Sequence, residues 1–100
     1  IDATLSVEDE LSGITSFNVY PNPTSSSAKI SFNLIKEVQN LSITVRNAVG
    51  QVVTNVINGK SFSVGKYSLI VDEEKKLSSG LYFIEMNTDG NIKVEKLIVR

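Results

Sequence analysis

Two β-rich runs facing each other across an Asp-Gly pair constrain this chain more than any other feature. Residues 77–100 read LSSGLYFIEMNTDGNIKVEKLIVR. Within them, residues 81–86 and 92–99 are rich in β-branched and aromatic side chains and flank Thr88-Asp89-Gly90-Asn91. Asp-Gly readily takes the two positive-φ positions of a two-residue hairpin turn, so the chain is predicted to close in a β-hairpin. On the first arm Tyr82, Ile84 and Met86 share one face of the pleat, while Leu81, Phe83, Glu85 and Asn87 share the other. The second arm is less regular. Ile92 and Val94 point one way, and continuing in step places Lys96 beside them and turns Leu97 and Val99 outward. Two outcomes stay open. A bulge near Glu95-Lys96 changes the parity of every later side chain and returns the apolar set to the core. Alternatively, the last residues leave the sheet and offer Leu97, Ile98, Val99 and Arg100 to something else.

The same period of two recurs upstream. Ala28, Ile30, Phe32 and Leu34 alternate with Lys29, Ser31 and Asn33, and Leu41, Ile43 and Val45 alternate with Ser42, Thr44 and Arg46, the pattern of half-buried strands. Pro21 and Pro23 each lack a backbone donor and end strand pairing after Tyr20. Lys36-Glu37 turns the chain. Asn47-Ala48-Val49-Gly50 is predicted as a four-residue hairpin turn, with Gly50 taking positive φ, leading into residues 52–57. Asn58-Gly59 is predicted as a further turn, Phe62 and Val64 open the next run, and Tyr67, Leu69 and Val71 face one way. Residues 72–76, Asp-Glu-Glu-Lys-Lys, read as a solvated crossing. About seven short strands with no amphipathic helix predict an all-β fold: an immunoglobulin-like antiparallel β-sandwich, with a small barrel as the rival. The tyrosines Tyr20, Tyr67 and Tyr82 occupy strand positions that favour burial.

Charge divides the chain. Residues 1–16 carry Asp2, Glu8, Asp9 and Glu10 and no Lys or Arg, whereas residues 17–100 carry ten basic and seven acidic residues. Residues 1–16 are read as an acidic linker or arm, with a possible helical turn at Ser6-Val7-Glu8-Asp9, and residues 17–100 as the domain. The first residue is Ile and no signal peptide is visible, which is read as a piece of something larger. No apolar stretch approaches the roughly 20 residues that span a bilayer as a helix.

Chemistry finds little purchase. The chain has no Cys and no His, which removes thiol chemistry, Ser-His-Asp triads and the usual zinc sites, so no catalytic residue, metal site or cofactor is assigned. Glu85, Asp89 and Glu95 form no pair spaced for shared acid and base work, and Glu73 and its neighbours lack the spacing of a calcium loop. A surplus of three positive charges over residues 17–100 is no nucleic-acid stripe. The residues thus describe a soluble, non-enzymatic β-sandwich.

Four blocks carry a resemblance. Phe17-Asn18-Val19-Tyr20-Pro21-Asn22-Pro23 is followed by Val45-Arg46-Asn47-Ala48-Val49-Gly50-Gln51-Val52-Val53. Leu77-Ser78-Ser79-Gly80-Leu81-Tyr82-Phe83-Ile84 and Lys93-Val94-Glu95-Lys96-Leu97-Ile98-Val99-Arg100 complete the set. In this order and spacing, residues 17–100 resemble the C-terminal sorting domains of the type IX secretion system, in their type A form. The resemblance implies a signal at the end of a larger cargo protein that directs it through the periplasm and across the outer membrane. It implies as partners an outer-membrane translocation or shuttle protein and a sortase-like cysteine protease. That protease would cut within the preceding linker, residues 1–16, during attachment to the cell surface. It places recognition on Gly80 and Tyr82 and on Lys93, Lys96, Leu97, Val99 and Arg100. Ser78 stands where the family often has Pro, and Arg100 stands alone where it often has a Lys cluster. A last strand lying at a sheet edge would offer its backbone for strand addition. The rival reading is an immunoglobulin-like binding or spacer module, for carbohydrate or adhesion, in a secreted multidomain protein.

Overall fold

The structure is a computed structural model that describes residues 14–21, 23–24, 27–71 and 77–100. The Ser6–Asp9 turn, the crossing at residues 72–76 and most of the acidic arm lie outside the described residues. Seven strands follow in chain order: β1 (Ile14–Tyr20), β2 (Ala28–Leu34), β3 (Val38–Asn47), β4 (Val52–Phe62), β5 (Gly65–Val71), β6 (Gly80–Thr88) and β7 (Asn91–Val99). They form two antiparallel sheets, ordered β1-β2-β5 and β4-β3-β6-β7. This is the predicted immunoglobulin-like sandwich. In the constant-type immunoglobulin arrangement the fourth strand joins the first sheet; here β4 pairs with β3 and joins the second. Among the described residues no helix is long and apolar enough to cross a membrane.

The core is the set of inward residues that alternation picked out. Phe17, Val19, Ala28, Ile30, Phe32, Leu34 and Val71 from one sheet meet Leu41, Ile43, Val45, Ile57, Tyr82, Ile84, Met86, Leu97 and Val99 from the other. β1 begins at Ile14, whose side chain is fully buried. The last three residues of the stretch read as an arm, Ile14 to Ser16, therefore belong to the sandwich. The charge shift marks the end of the acidic run and misses the start of the strand.

The closing hairpin forms as its turn dictates. Asp89 and Gly90 both have positive φ, 51° and 97°, the conformation that matches the twist of the flanking strands. Asp89 also fastens the turn to the start of β3. Its carboxylate accepts the backbone N–H groups of Gln39 and Asn40 at 3.2 and 2.8 Å, and its own N–H donates to the Asn40 carbonyl at 3.0 Å. A two-residue turn fixes the register, which runs pair by pair from Thr88↔Asn91 to Gly80↔Val99 without a shift.

That register settles both open outcomes for the second arm, and neither occurs. There is no bulge at Glu95-Lys96, and the last residues stay in the sheet. Parity from the turn puts Asn91, Lys93, Glu95, Leu97 and Val99 on the inner face. Leu97 and Val99 are buried, at 1% and 7% exposure, where Tyr82 and Gly80 lie opposite. Ile92 and Val94 instead face outward, each 50% exposed. The inner face of this edge strand admits water toward the turn, and Glu95 is exposed there.

Two further expectations are corrected. Asn58-Gly59 is no turn: β4 continues through it, and Leu41↔Lys60 followed by Ile43↔Ile57 leaves one extra residue on β4, a β-bulge. Gly59 takes the required positive φ of 67° and donates its N–H to Ser42 Oγ at 3.0 Å. Tyr20 is 47% exposed on the outer face of its sheet, Tyr67 is half-buried, and only Tyr82 is fully in the core. The turn at Asn47-Gly50 forms as predicted, with the Asn47 side-chain oxygen accepting the N–H groups of Val49 and Gln51 at 3.1 and 2.9 Å.

Candidate functional site

One end of the sandwich gathers three of the sequence blocks, and the first block ends at Pro23, one residue before a bridge to that end. Asn47, the last residue of β3, pairs with Tyr82, which pairs with Leu97, and Gly80 pairs with Val99. Beyond the two prolines the chain leaves the first sheet and lays Thr24 against the end of β7 as a parallel bridge to Val99. The Thr24 N–H donates to the Ile98 carbonyl at 2.9 Å and the Arg100 N–H to the Thr24 carbonyl at 2.8 Å. Pairing between β1 and β2 ends before the prolines, yet Thr24 after them, 2% exposed, supplies a buried strap across the sandwich edge. Arg46 ties the β3–β4 turn to β6: its Nε lies 3.2 Å from Glu85 Oε1, and its guanidinium donates to the Gly50 carbonyl at 3.1 Å. The pair is partly solvated and worth less than about 1 kcal/mol, so it positions more than it stabilises.

The predicted recognition residues divide by accessibility. Tyr82, Leu97 and Val99 are buried. Gly80, Lys96 and Arg100 are exposed and Lys93 is half-buried. Gly80, Tyr82, Leu97 and Val99 adjoin at this end, whereas Lys93 pairs with Met86 farther toward the Asp89-Gly90 turn.

The Gly80-Tyr82 block is a structural corner. Tyr82 donates its hydroxyl to the Ser78 carbonyl at 2.7 Å, with Ser78 Oγ 3.3 Å away. Gly80 between them has φ 154°, a region nearly restricted to glycine. A Tyr near the start of the sixth strand that bonds back to the backbone is the tyrosine corner of immunoglobulin-like sandwiches. The same construction occurs a second time. Ser63-Val64-Gly65-Lys66-Tyr67 has the spacing of Ser78-Ser79-Gly80-Leu81-Tyr82. Tyr67 donates to the Ser63 carbonyl at 2.8 Å, Ser63 Oγ lies 3.4 Å from the hydroxyl, and Gly65 has φ 153°. One corner starts β5 and the other starts β6. The recurring Ser-x-Gly-x-Tyr spacing is the signal in the sequence that reveals the pair.

Beside Gly80 lies an open depression of about 240 Å³ lined by residues including Asn47, Val49, Ser79 and Leu81. Another, of about 220 Å³, lies on the first sheet beside Tyr20, Pro21, Lys29 and Ile70. Both fall short of the roughly 300 Å³ at which small-molecule sites begin. No group of three or more metal-ligating side chains occurs among the described residues. The site's chemistry is that of a surface: exposed cations, outward apolar side chains and sheet-edge backbone.

Residues 18–100 match the family of secretion system C-terminal sorting domains. The chain belongs to that family. No curated protein matches it significantly. The sorting domain is therefore a C-terminal type IX secretion signal, carried as part of a cargo, engaging that machinery and implying export to the cell surface or release. The family is one of non-enzymatic tags.

Proposed function

We propose that this domain is an address read at the end of the sandwich where the blocks meet, by an outer-membrane translocation or shuttle protein of the type IX system. A sortase-like cysteine protease then removes it by cutting within the acidic segment that precedes β1. The observation that supports this reading is convergence: blocks far apart in sequence assemble around the Gly80↔Val99 pair and its Thr24 strap. Gly80, Tyr82, Leu97 and Val99 build this end through a glycine-only backbone and buried side chains. Lys96 and Arg100, exposed, and Lys93, half-buried, are the residues a partner touches. Surface cations contribute orientation and encounter rate more than affinity.

Deleting residues 93–100 is a poor test, because it removes two core side chains and unfolds the sandwich. The informative variant is Lys96→Glu with Arg100→Glu, carried on a periplasmic reporter in a host that has the secretion system. We expect an unchanged melting temperature and a marked fall in surface delivery. Delivery at the wild-type rate by the folded double variant would defeat the reading that a partner touches these cations. Retention of the acidic segment on surface-delivered reporter would separately defeat the cleavage step.

A further inference from the structure

β7 pairs with β6 along one side only. On its other side, among the described residues, stands a single bridge, Thr24 to Val99. That bridge shows which main-chain groups face outward, since the Ile98 carbonyl and the Arg100 N–H point to Thr24. Strand alternation then turns the N–H and C=O of Ile92 and Val94 to the same outer side. The β6–β7 register is unbroken over its whole length, so this edge is regular enough to template another strand. The opposite edge is not: the β3–β4 pairing shifts register four times.

Side chains beside the edge specify what fits it. On the outer face Ile92 and Val94, each 50% exposed, form an adjacent apolar pair in a column that continues with exposed Lys96 and then Ile98, 39% exposed. A strand added there would set its own outward residues directly beside that column, which favours apolar side chains next to Ile92 and Val94. Within residues 91–96 Lys96 lies on that outer face next along from Val94, while Lys93 and Glu95 lie on the inner face, which favours an acidic side chain in the added strand beside Lys96. The outer face of the three-stranded sheet has no such column; its cross-strand neighbours include Asn18, Ser31 and Ser68.

We propose that the outer edge of β7 over residues 91–96 is a strand-addition site for an extended segment of a partner protein bearing alternate apolar residues with an acidic residue among them. The proposal rests on the export reading above and adds where the domain is held and by what chemistry. Because Thr24 closes the other end, the partner strand enters at the Asp89-Gly90 turn and runs toward the strap. Main-chain bonds supply affinity in such complexes, and side chains at alternate positions supply selectivity.

The test uses the same fusion to a periplasmic reporter in a host with the secretion system. Val94→Pro deletes an outward-facing N–H and leaves the β6 ladder intact, as edge strands tolerate. Ile92→Asp with Val94→Asp changes only outward side chains. Asn55→Asp, on the exposed β4 edge and outside the four blocks, places a charge there as the control. Both β7 variants, shown folded by thermal melting, are expected to lower surface delivery at least about tenfold, and Asn55→Asp to leave it unchanged. Wild-type delivery by a folded β7 variant, or an equal loss from Asn55→Asp, overturns the proposal; if Val94→Pro does not fold, the double Asp variant decides. A wild-type fusion that stays in the periplasm defeats the export reading itself, whereas delivered wild type with delivered β7 variants defeats only the edge.

Discussion

The two Ser-x-Gly-x-Tyr corners have one geometry and different surroundings. Each Tyr hydroxyl reaches four residues back to a Ser carbonyl, at 2.8 and 2.7 Å, over a glycine at φ 153° or 154°. Around Tyr67 lie Phe32, stacked at 5.4 Å, and Phe62, edge-on at 5.0 Å, but the residue is only partly buried. Tyr82 is 6% exposed and sits opposite Leu97 in the centre of the candidate site. The comparison shows that Ser-x-Gly-x-Tyr is a way of starting a strand. What distinguishes the second copy is its placement beside the β7 terminus, opposite Leu97 and Val99. The first copy is then an internal control for separating construction from recognition.

The largest difference between the corners should come from removing the rings. Tyr82→Ala is expected to cost about 3–5 kcal/mol, as for other buried aromatics, and Tyr67→Ala less, because part of its ring is already in water. Urea unfolding of the two variants checks the ratio; equal losses would erase the contrast in burial. Next come the glycines. Gly80→Ala and Gly65→Ala should each cost about 1–3 kcal/mol. The cause is backbone strain at φ 154° and 153°, since an added Cβ would meet nothing closer than 4.0 and 3.8 Å. Matched melting temperatures with matched loss of delivery would mark Gly80 as a builder. A far larger export defect from Gly80→Ala at equal stability would mean that its surface is itself read.

Smaller again is the hydroxyl bond. Tyr82→Phe should lose about 1–1.5 kcal/mol and Tyr67→Phe about 0.5 kcal/mol, because water competes more freely at the exposed corner. Thermal melts of the pair measure the difference. Smallest in stability is Lys96→Ala, expected within about 0.5 kcal/mol of wild type as an exposed substitution. Its effect should appear as slower surface delivery that weakens further differences at high salt in a purified binding assay, where charge steering is screened.

Strands were legible wherever one face is dry. β2 and β3 alternate because Ile30, Phe32, Ile43 and Val45 must be inside while Lys29 and Gln39 need not be. β4 was harder to read. As an edge strand it exposes Val52 and Val53, and Asn58-Gly59 supplies the same positive φ to a bulge as to a reversal; only the pairing with β3 decides between them. The inner and outer assignments on β7 were lost for a related reason. Five apolar residues on two parities cannot all be inside, and the turn chose the parity that leaves Ile92, Val94 and Ile98 outward. The site was half legible: its blocks stand in the sequence, but the Thr24 strap depends on a crossing between sheets that local patterning does not encode. The twin corners were visible as spacing, and their meaning needed the hydroxyl's reach back across the strand start.

The bulged β4 margin has a consequence for assembly. A sheet that can grow at both margins propagates, each newcomer exposing a fresh growing end, and that is how edge pairing turns into fibres. With Gly59 kinking one margin of the four-stranded sheet out of register and leaving β7 as its regular one, that sheet can lengthen at one margin only, and growth through it ends after a single addition.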